Sequence, residues 1–224
     1  MANPVSLGTR VESEAGGAQS TVLTTSVAHL ERQLLFVCVA AQAARTLGAM
    51  TDSVGNSYTV LAQASQASVK TAIYRSSGAI ALGSGGTISL ATSGIGGGEV
   101  LMSAFSLTPY KNATDASGTA TGASGDPEVS ITTVAAKTIT IACAGQVYTG
   151  LDDTYTGDND YTTMQGIGPQ ETTAIMLTCA YRVRTSAGAD TMTFNWDTID
   201  VAWAASILSM QLIEGGDTSL LLGV

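Results

Sequence analysis

The chain has 224 residues and a formal net charge of −9, from 18 acidic and 9 basic side chains. Only 12% of the residues are charged, against about 25% in a typical soluble domain, while 45% are hydrophobic and 5% are aromatic. The high apolar content excludes intrinsic disorder. Nine scattered basic residues make no basic patch, so we expect no nucleic-acid partner.

The negative charge belongs to the second half of the chain. Residues 1–112 hold six basic and five acidic side chains, whereas residues 113–224 hold three basic and thirteen acidic ones. No stretch reaches the 18 or more apolar residues of a membrane span, and the first ten residues lack the apolar run of a secretory signal. We therefore expect no membrane partner and folding in a cytoplasm.

Short apolar, β-branched runs separated by Gly, Ser, Asn and Asp clusters predict strands throughout the chain. Two predicted strands, 138–143 and 175–183, alternate apolar and polar side chains, as half-buried strands do. The stretch 201–213 is apolar on both faces, which predicts cover on both faces by the opposite sheet and another subunit. In chain order, the predicted strands are 5–12, 21–27, 34–41, 57–63, 69–75, 87–91, 100–107, 129–133, 137–147, 174–184, 190–196 and 201–213.

These elements predict an all-β fold, an antiparallel, jelly-roll-like β-sandwich of about ten to twelve strands with little helix. A turn or short helix is expected at 42–50, and the polar stretch 111–126 is expected to be a loop within one domain. The predicted organisation is an N-terminal strand or arm at 1–28, a single sandwich domain at 29–214 and an apolar tail at 215–224. No internal repeat of fixed period is visible in the sequence.

The residue types that would support catalysis are few. The one histidine, His29, has no Gly-x-Ser-x-Gly nucleophile motif to act with, so we expect no Ser-His-Asp site. Three cysteines lie within apolar runs and form no Cys-x-x-Cys pair, which predicts buried thiols and no metal. Trp196 and Trp203 lie on adjacent late strands, where core packing is expected. We accordingly predict no catalytic residues, no cofactor and no enzymatic activity. The three cysteines are Cys38, Cys143 and Cys179.

An acidic loop is the one group of candidate ligands in the sequence. Carboxylate oxygens from a flexible loop are what Ca²⁺ prefers, but the spacing here is not that of an EF-hand. Calcium binding is therefore the weaker of two interpretations, and the other is a solvated loop that contributes to solubility. The candidate ligands are Asp152, Asp153, Asp158 and Asp160.

Several segments resemble β-sandwich proteins of tailed bacteriophages. The stretch 51–63, TDSVGNSYTVLAQ, is similar to a Thr-Asp-Ser-x-Gly-Asn-x-Tyr/Trp-Thr hairpin that follows an apolar strand in those proteins. Three further matches are the Ala-Phe-Ser run at 104–106, the Tyr-Arg-Val run at 181–183 with its Ala-Gly-Ala turn, and the Thr-x-Thr-x-x-Trp strand at 191–196. The resemblance spans about residues 30–213 and brings no catalytic residues with it.

The resemblance implies a structural virion protein, most simply a capsid decoration or cement protein. Its partners would be other virion proteins, the major capsid protein or tail proteins, and further copies of itself in a homo-oligomer. The alternative is a tail or fibre component that binds a host-surface glycan or protein through loop tyrosines at 148, 155 and 161. The apolar C-terminal segment is expected to pack on a neighbouring subunit, through Leu220, Leu221, Leu222 and Val224.

Overall fold

The computed structural model describes residues 4–14, 17–29, 33–76, 80–94, 98–107, 110–147, 155–157, 160–167, 175–196 and 201–212. These residues form sixteen strands and no helix, so the described part of the chain offers no helix that could cross a membrane. The predicted all-β class is confirmed, with more strands than expected. The strands are β1 (Val5–Glu14), β2 (Gln19–Thr24), β3 (Leu34–Gln42), β4 (Arg45–Asp52), β5 (Tyr58–Ser65), β6 (Val69–Ser76), β7 (Thr87–Gly94), β8 (Gly98–Leu107), β9 (Tyr110–Gly122), β10 (Glu128–Thr133), β11 (Thr138–Val147), β12 (Tyr155–Gly157), β13 (Thr162–Ile167), β14 (Ile175–Arg184), β15 (Gly188–Trp196) and β16 (Trp203–Leu212).

The strands form four antiparallel sheets in two matching pairs. The first half of the chain makes a five-stranded sheet, β1-β8-β3-β6-β5, and a three-stranded sheet, β2-β7-β4. The second half makes β9-β16-β11-β14-β13 and β10-β15-β12. Adding eight to each strand number of the first half reproduces the order of the second. The chain is therefore a duplicated unit of eight strands, each unit jelly-roll-like.

The register of the central strands shows the same duplication at residue level. Cys38 of β3 lies opposite Ser103 of β8, and Cys143 of β11 lies opposite Ser206 of β16. The two cysteines are 105 positions apart and the two serines 103. Because the offset changes along the chain, the repeat has no fixed period, which is why the sequence did not reveal it.

Three apolar clusters divide the molecule into layers. The central cluster packs the two five-stranded sheets face to face, and the other two clusters each pack one five-stranded sheet against its own three-stranded sheet. Strand β3 shows why this works: Phe36 and Cys38 point to the central cluster, while Val37 and Val39 point to the outer one. Strands that are apolar on both faces thus lie in the two inner layers.

Small side chains let the two inner sheets approach closely at their centre. A Cβ atom placed on Gly145 would lie 3.0 Å from Cβ of Ala40 and 3.1 Å from Cγ2 of Thr71. Next to this contact, the hydroxyls of Thr71 and Ser206 are 3.0 Å apart across the interface. The two halves are therefore joined by direct backbone-level packing and a buried hydrogen bond.

Two segments that were predicted to lie outside strands are strands in the structure. The expected loop at 111–126 is mostly β9, a strand of thirteen residues, because β16 supplies its hydrogen-bond partners from Trp203 to Leu212. Gly122 lies directly against the Trp203 ring, where a Cβ would come within 2.5 Å of Cε2, so any side chain at 122 would force the ring to move. The expected turn or helix at 42–50 is largely β4, which pairs with β7.

The double apolar character of 201–213 has a different cause from the one predicted. One face of β16, with Ala204 and Leu208, lies in the central cluster, and the other, with Ala205 and Ile207, packs under the outer sheet of the second half. Both covers come from the chain itself, so no second subunit is needed to bury this strand.

The predicted domain boundaries stay predictions. β1 and β2, which fall within the predicted arm at 1–28, pair with β8 and β7 as full members of the sheets of the first half. The predicted tail at 215–224 lies outside the described residues.

Candidate functional site

The segment 52–58 is a turn organised by one carboxylate. Oδ1 of Asp52 accepts hydrogen bonds from the backbone N–H groups of Val54, at 3.2 Å, and Asn56, at 2.9 Å. Oδ2 of Asp52 accepts from the Asn56 side-chain amide at 2.8 Å and from the Tyr58 hydroxyl at 2.9 Å. Gly55 has a φ of 89°, which a glycine adopts without strain. The side chains therefore hold a tight connection between β4 and β5.

Asn56 extends this network to a distant part of the chain. Its amide nitrogen donates to the carbonyl of Ile80 at 3.0 Å, and its amide oxygen accepts from the N–H of Ile80 at 3.1 Å. Tyr58 is partly enclosed beside Asp52, and burial together with that negative charge raises the pKa of the Tyr58 phenol. The polar side-chain atoms of Asp52 and Asn56 and the Tyr58 hydroxyl thus all bond to groups within the fold.

His29 lies fully buried behind the same turn. Its backbone forms a bridge with Leu82, and neither ring nitrogen has a hydrogen-bond partner among the described residues. Burial lowers the pKa of His29, and the negative charge of Asp52 opposes that shift. A solvent-excluded imidazole with no acceptor or nucleophile against it has the geometry of a packing residue.

The second half contains a buried carboxylate that sequence reasoning missed. Asp190 accepts a hydrogen bond from the Thr140 hydroxyl at 2.7 Å, and its Oδ1 lies 3.1 Å from Nη1 of Arg184 and 3.4 Å from Nη1 of Arg182. The Asp190 side chain is completely buried. The signal in the sequence was an Arg-x-Arg pair on one face of a strand, followed by a lone Asp at the start of the next.

Only one predicted calcium ligand can be placed. Asp160 is exposed, has a φ of 63°, and forms a 3.2 Å ion pair with Nη2 of Arg182. Asp152, Asp153 and Asp158 lie outside the described residues, so Asp160 is the one candidate ligand whose position the structure gives. Within the ranges described above, no group of three or more His, Cys, Asp or Glu side chains is placed to hold a metal ion.

Of the three tyrosines proposed for glycan contact, the structure describes the side chain of Tyr161. Tyr161 is 7% exposed and packs in the outer cluster of the second half. Burial, with the nearby charge of Asp190, raises the pKa of the Tyr161 phenol. Tyr148 and the side chain of Tyr155 lie outside the described residues.

The cysteines and tryptophans are core residues, as predicted. Cys38, Cys143 and Cys179 are free, fully buried and grouped at the centre of the central cluster, where Cys143 and Cys179 are opposite each other on neighbouring strands. Burial raises the pKa of the Cys179 thiol. Trp196 and Trp203 pack in the outer cluster of the second half, and Nε1 of Trp203 donates to the carbonyl of Ser124 at 3.2 Å.

The polar clusters described here share one property: their charged groups face partners inside the fold. Asp52 has four donors, Asp190 has a hydroxyl and two guanidinium groups, and Glu99 accepts from the backbone N–H of Ile175 across the two halves at 3.1 Å. Such arrangements hold loops and layers in place. The predicted subunit-contact residues Leu220, Leu221, Leu222 and Val224 lie outside the described residues.

Comparison with known proteins identifies no relative. No family model matches the sequence, and neither the curated proteins nor the solved structures contain a significant match.

Proposed function

We propose that this chain is a non-enzymatic structural protein of a tailed-bacteriophage virion, a decoration or cement protein that stabilises the capsid through subunit contacts. It is made in the host cytoplasm and acts in the virion. Its partners are the major capsid protein and further copies of itself. The resemblance of the segment 51–63 to phage β-sandwich proteins is the starting point for this function.

The observation that carries the proposal is the construction of the turn at 52–58, which connects β4 and β5 of two different sheets. The residues on which the resemblance rests are the ones that build the turn: Asp52 as acceptor, Gly55 at positive φ, Asn56 as bridge to Ile80, and Tyr58 as donor. A motif whose members all serve the fold supports a shared scaffold and no shared chemistry.

The architecture suits a protein whose task is mechanical. Two eight-stranded units share a central apolar layer, so each stabilises the other without a cofactor. The outermost faces carry short hydroxyl side chains, including the hydrogen-bonded pairs Ser20 with Ser89 and Ser130 with Thr191. Short polar side chains lose little rotamer entropy when another surface packs on them.

The charge supports a position on the outside of the shell. Each copy carries −9 in total, and the second half alone carries ten more acidic than basic residues. Packaged DNA would repel a negatively charged lining. We therefore propose that the protein faces solvent and meets the capsid from outside.

Quantification of this protein in purified particles tests the proposal. We expect a copy number comparable to that of the most abundant shell protein, together with binding of an antibody against this chain to intact particles. A few copies per particle would support the tail or fibre alternative instead. Absence from particles that carry its gene would overturn both.

A further inference from the structure

The outer edge of β9 is an open strand edge on the five-stranded sheet of the second half. Strand β9 ends the order β13-β14-β11-β16-β9, and its described backbone pairing is to β16 on one side only. Over residues 116–122 this pairing has no register shift, so the backbone groups that point away from β16 form a regular row. None of these seven residues is buried. Such a row is a template for another strand.

Among the strands that the structure describes, the other seven sheet edges each carry a feature that discourages pairing. β1, β4, β5 and β13 contain register shifts within the strand. β1 also holds three charged residues, and β2, β10 and β12 are six residues long or shorter. Bulges, charges and short length are the devices that protect strand edges in soluble proteins. In β9 the register shifts are confined to the part before residue 116, and residues 116–122 contain no charge and no proline.

We propose that residues 116–122 of β9 pair antiparallel with the same residues of a second copy, which joins two five-stranded sheets into one sheet of ten strands. Antiparallel pairing of identical strands has two-fold symmetry, so the same edge serves both partners. This contact is separate from the predicted C-terminal contacts and requires no other virion protein.

The occupant is a second copy because the edge is complementary to itself. With the two-fold axis at Thr119, Ser117 faces Thr121 of the copy, and neutral hydroxyl side chains oppose one another on the exposed face. Thr–Thr and Thr–Ser pairs across strands are favourable. The nearest carboxylate, Asp115, then opposes residue 123 of the copy, and it is already engaged by the backbone N–H groups of Val134 and Ala135. No like charges meet.

Light scattering coupled to size exclusion tests the pairing on the full chain at concentrations up to about 100 µM, where weak interfaces still populate. Wild type should have at least twice the 22.7 kDa mass of one chain. Thr119→Pro removes a backbone donor, and Thr119→Lys opposes two like charges at the axis. Each should weaken association about tenfold or more.

A matched control and a second readout keep the result unambiguous. Ser93→Lys makes the same charge change at an exposed position of β7, the central strand of its sheet, and should leave the mass unchanged. Circular dichroism should show that all three variants retain the β fold. A monomeric wild type, or a folded Thr119→Lys protein with wild-type mass, would overturn the proposal.

One cysteine introduced at a time on β9 tests where the two-fold axis lies. Thr119→Cys should form a disulfide-linked dimer on a non-reducing gel after oxidation with diamide, because directly opposed residues in paired strands lie within disulfide reach. The native thiols are fully buried and give little background. Ser93→Cys should remain uncrosslinked. Ser117→Cys and Thr121→Cys test the same contact with the axis moved by two residues. If none of the three cysteine variants at 117, 119 and 121 forms a linked dimer, the proposal is also overturned.

Discussion

Exchanging one methyl group between the two halves tests whether they pack face to face as equivalent units. Ala40 and Gly145 are 105 positions apart, like the equivalent cysteines nearby, and they meet across the central layer. Gly145→Ala would place its new Cβ 3.0 Å from Cβ of Ala40. Overpacking of this kind costs about 1–3 kcal/mol, partly offset by about 0.5–1 kcal/mol from the lost flexibility of glycine.

The reverse change has its own cost, and the double variant should recover most of both. Ala40→Gly removes a buried methyl group and adds backbone freedom, which together cost about 1.3–1.8 kcal/mol. In the double variant the methyl group has moved from one sheet to the other at the same contact. The backbone entropy that one substitution adds, the other removes, so these two contributions cancel. We therefore expect a coupling free energy of about 1 kcal/mol or more, within the range for contacting residues.

Urea unfolding followed by tryptophan fluorescence measures this cycle, since Trp196 and Trp203 are both buried. A destabilisation of 1 kcal/mol corresponds to a fall of about 2–4 °C in the melting temperature of a chain this long. Ala104→Gly, in an outer cluster, is the control and should be additive with Gly145→Ala. Additivity within about 0.5 kcal/mol for the Ala40 and Gly145 pair would refute the packing described here.

Three further changes test the polar clusters. Asp52→Ala should lower the free energy of unfolding by about 2–3 kcal/mol, because Asn56 and Tyr58 lose their acceptor. A change below about 0.5 kcal/mol in urea unfolding would show that the turn is stable without the Asp52 carboxylate. Asp190→Ala should lower the free energy of unfolding by about 3–5 kcal/mol, since two guanidinium groups keep their charge without the carboxylate. Asp190→Asn should recover part of this loss. An alanine variant as stable as wild type would contradict a stabilising role for this cluster. Burial lowers the pKa of His29 in the folded state, so the unfolded chain binds more protons and stability should fall as the pH drops below about 6.5. The urea midpoint of wild type should therefore decrease more than that of His29→Leu between about pH 7.5 and about pH 5, and parallel decreases would rule out a contribution from His29.

The fold class was readable from the sequence because most strands carry their own apolar signal. β3 is a continuous apolar run and β11 alternates apolar with polar or small residues, and their thiols lie in the core as predicted. β9 carried no such signal, because its Gly, Ala, Ser and Thr residues become a strand only when β16 supplies a partner. Tertiary context of this kind overrides local preference.

Neither the duplication nor the buried ion cluster around Asp190 could be predicted from the sequence, for related reasons. Few residues of the central strands are identical between the halves, among them the cysteines and the serines opposite them, while Phe105 corresponds to Leu208. The fold is therefore repeated with little sequence identity. Asp190 lies 50 positions after Thr140 in the sequence. Only the pairing of β11 with β14 and the position of β15 bring Asp190, Thr140 and the two arginines together.

The thermal stability of particles tests the proposed stabilising role most directly. Particles assembled without this protein should release their DNA at a lower temperature than complete particles, as followed by a DNA-binding dye. Adding the purified chain back should restore the release temperature in proportion to the number of copies bound. An identical release temperature with and without the bound protein would contradict the account.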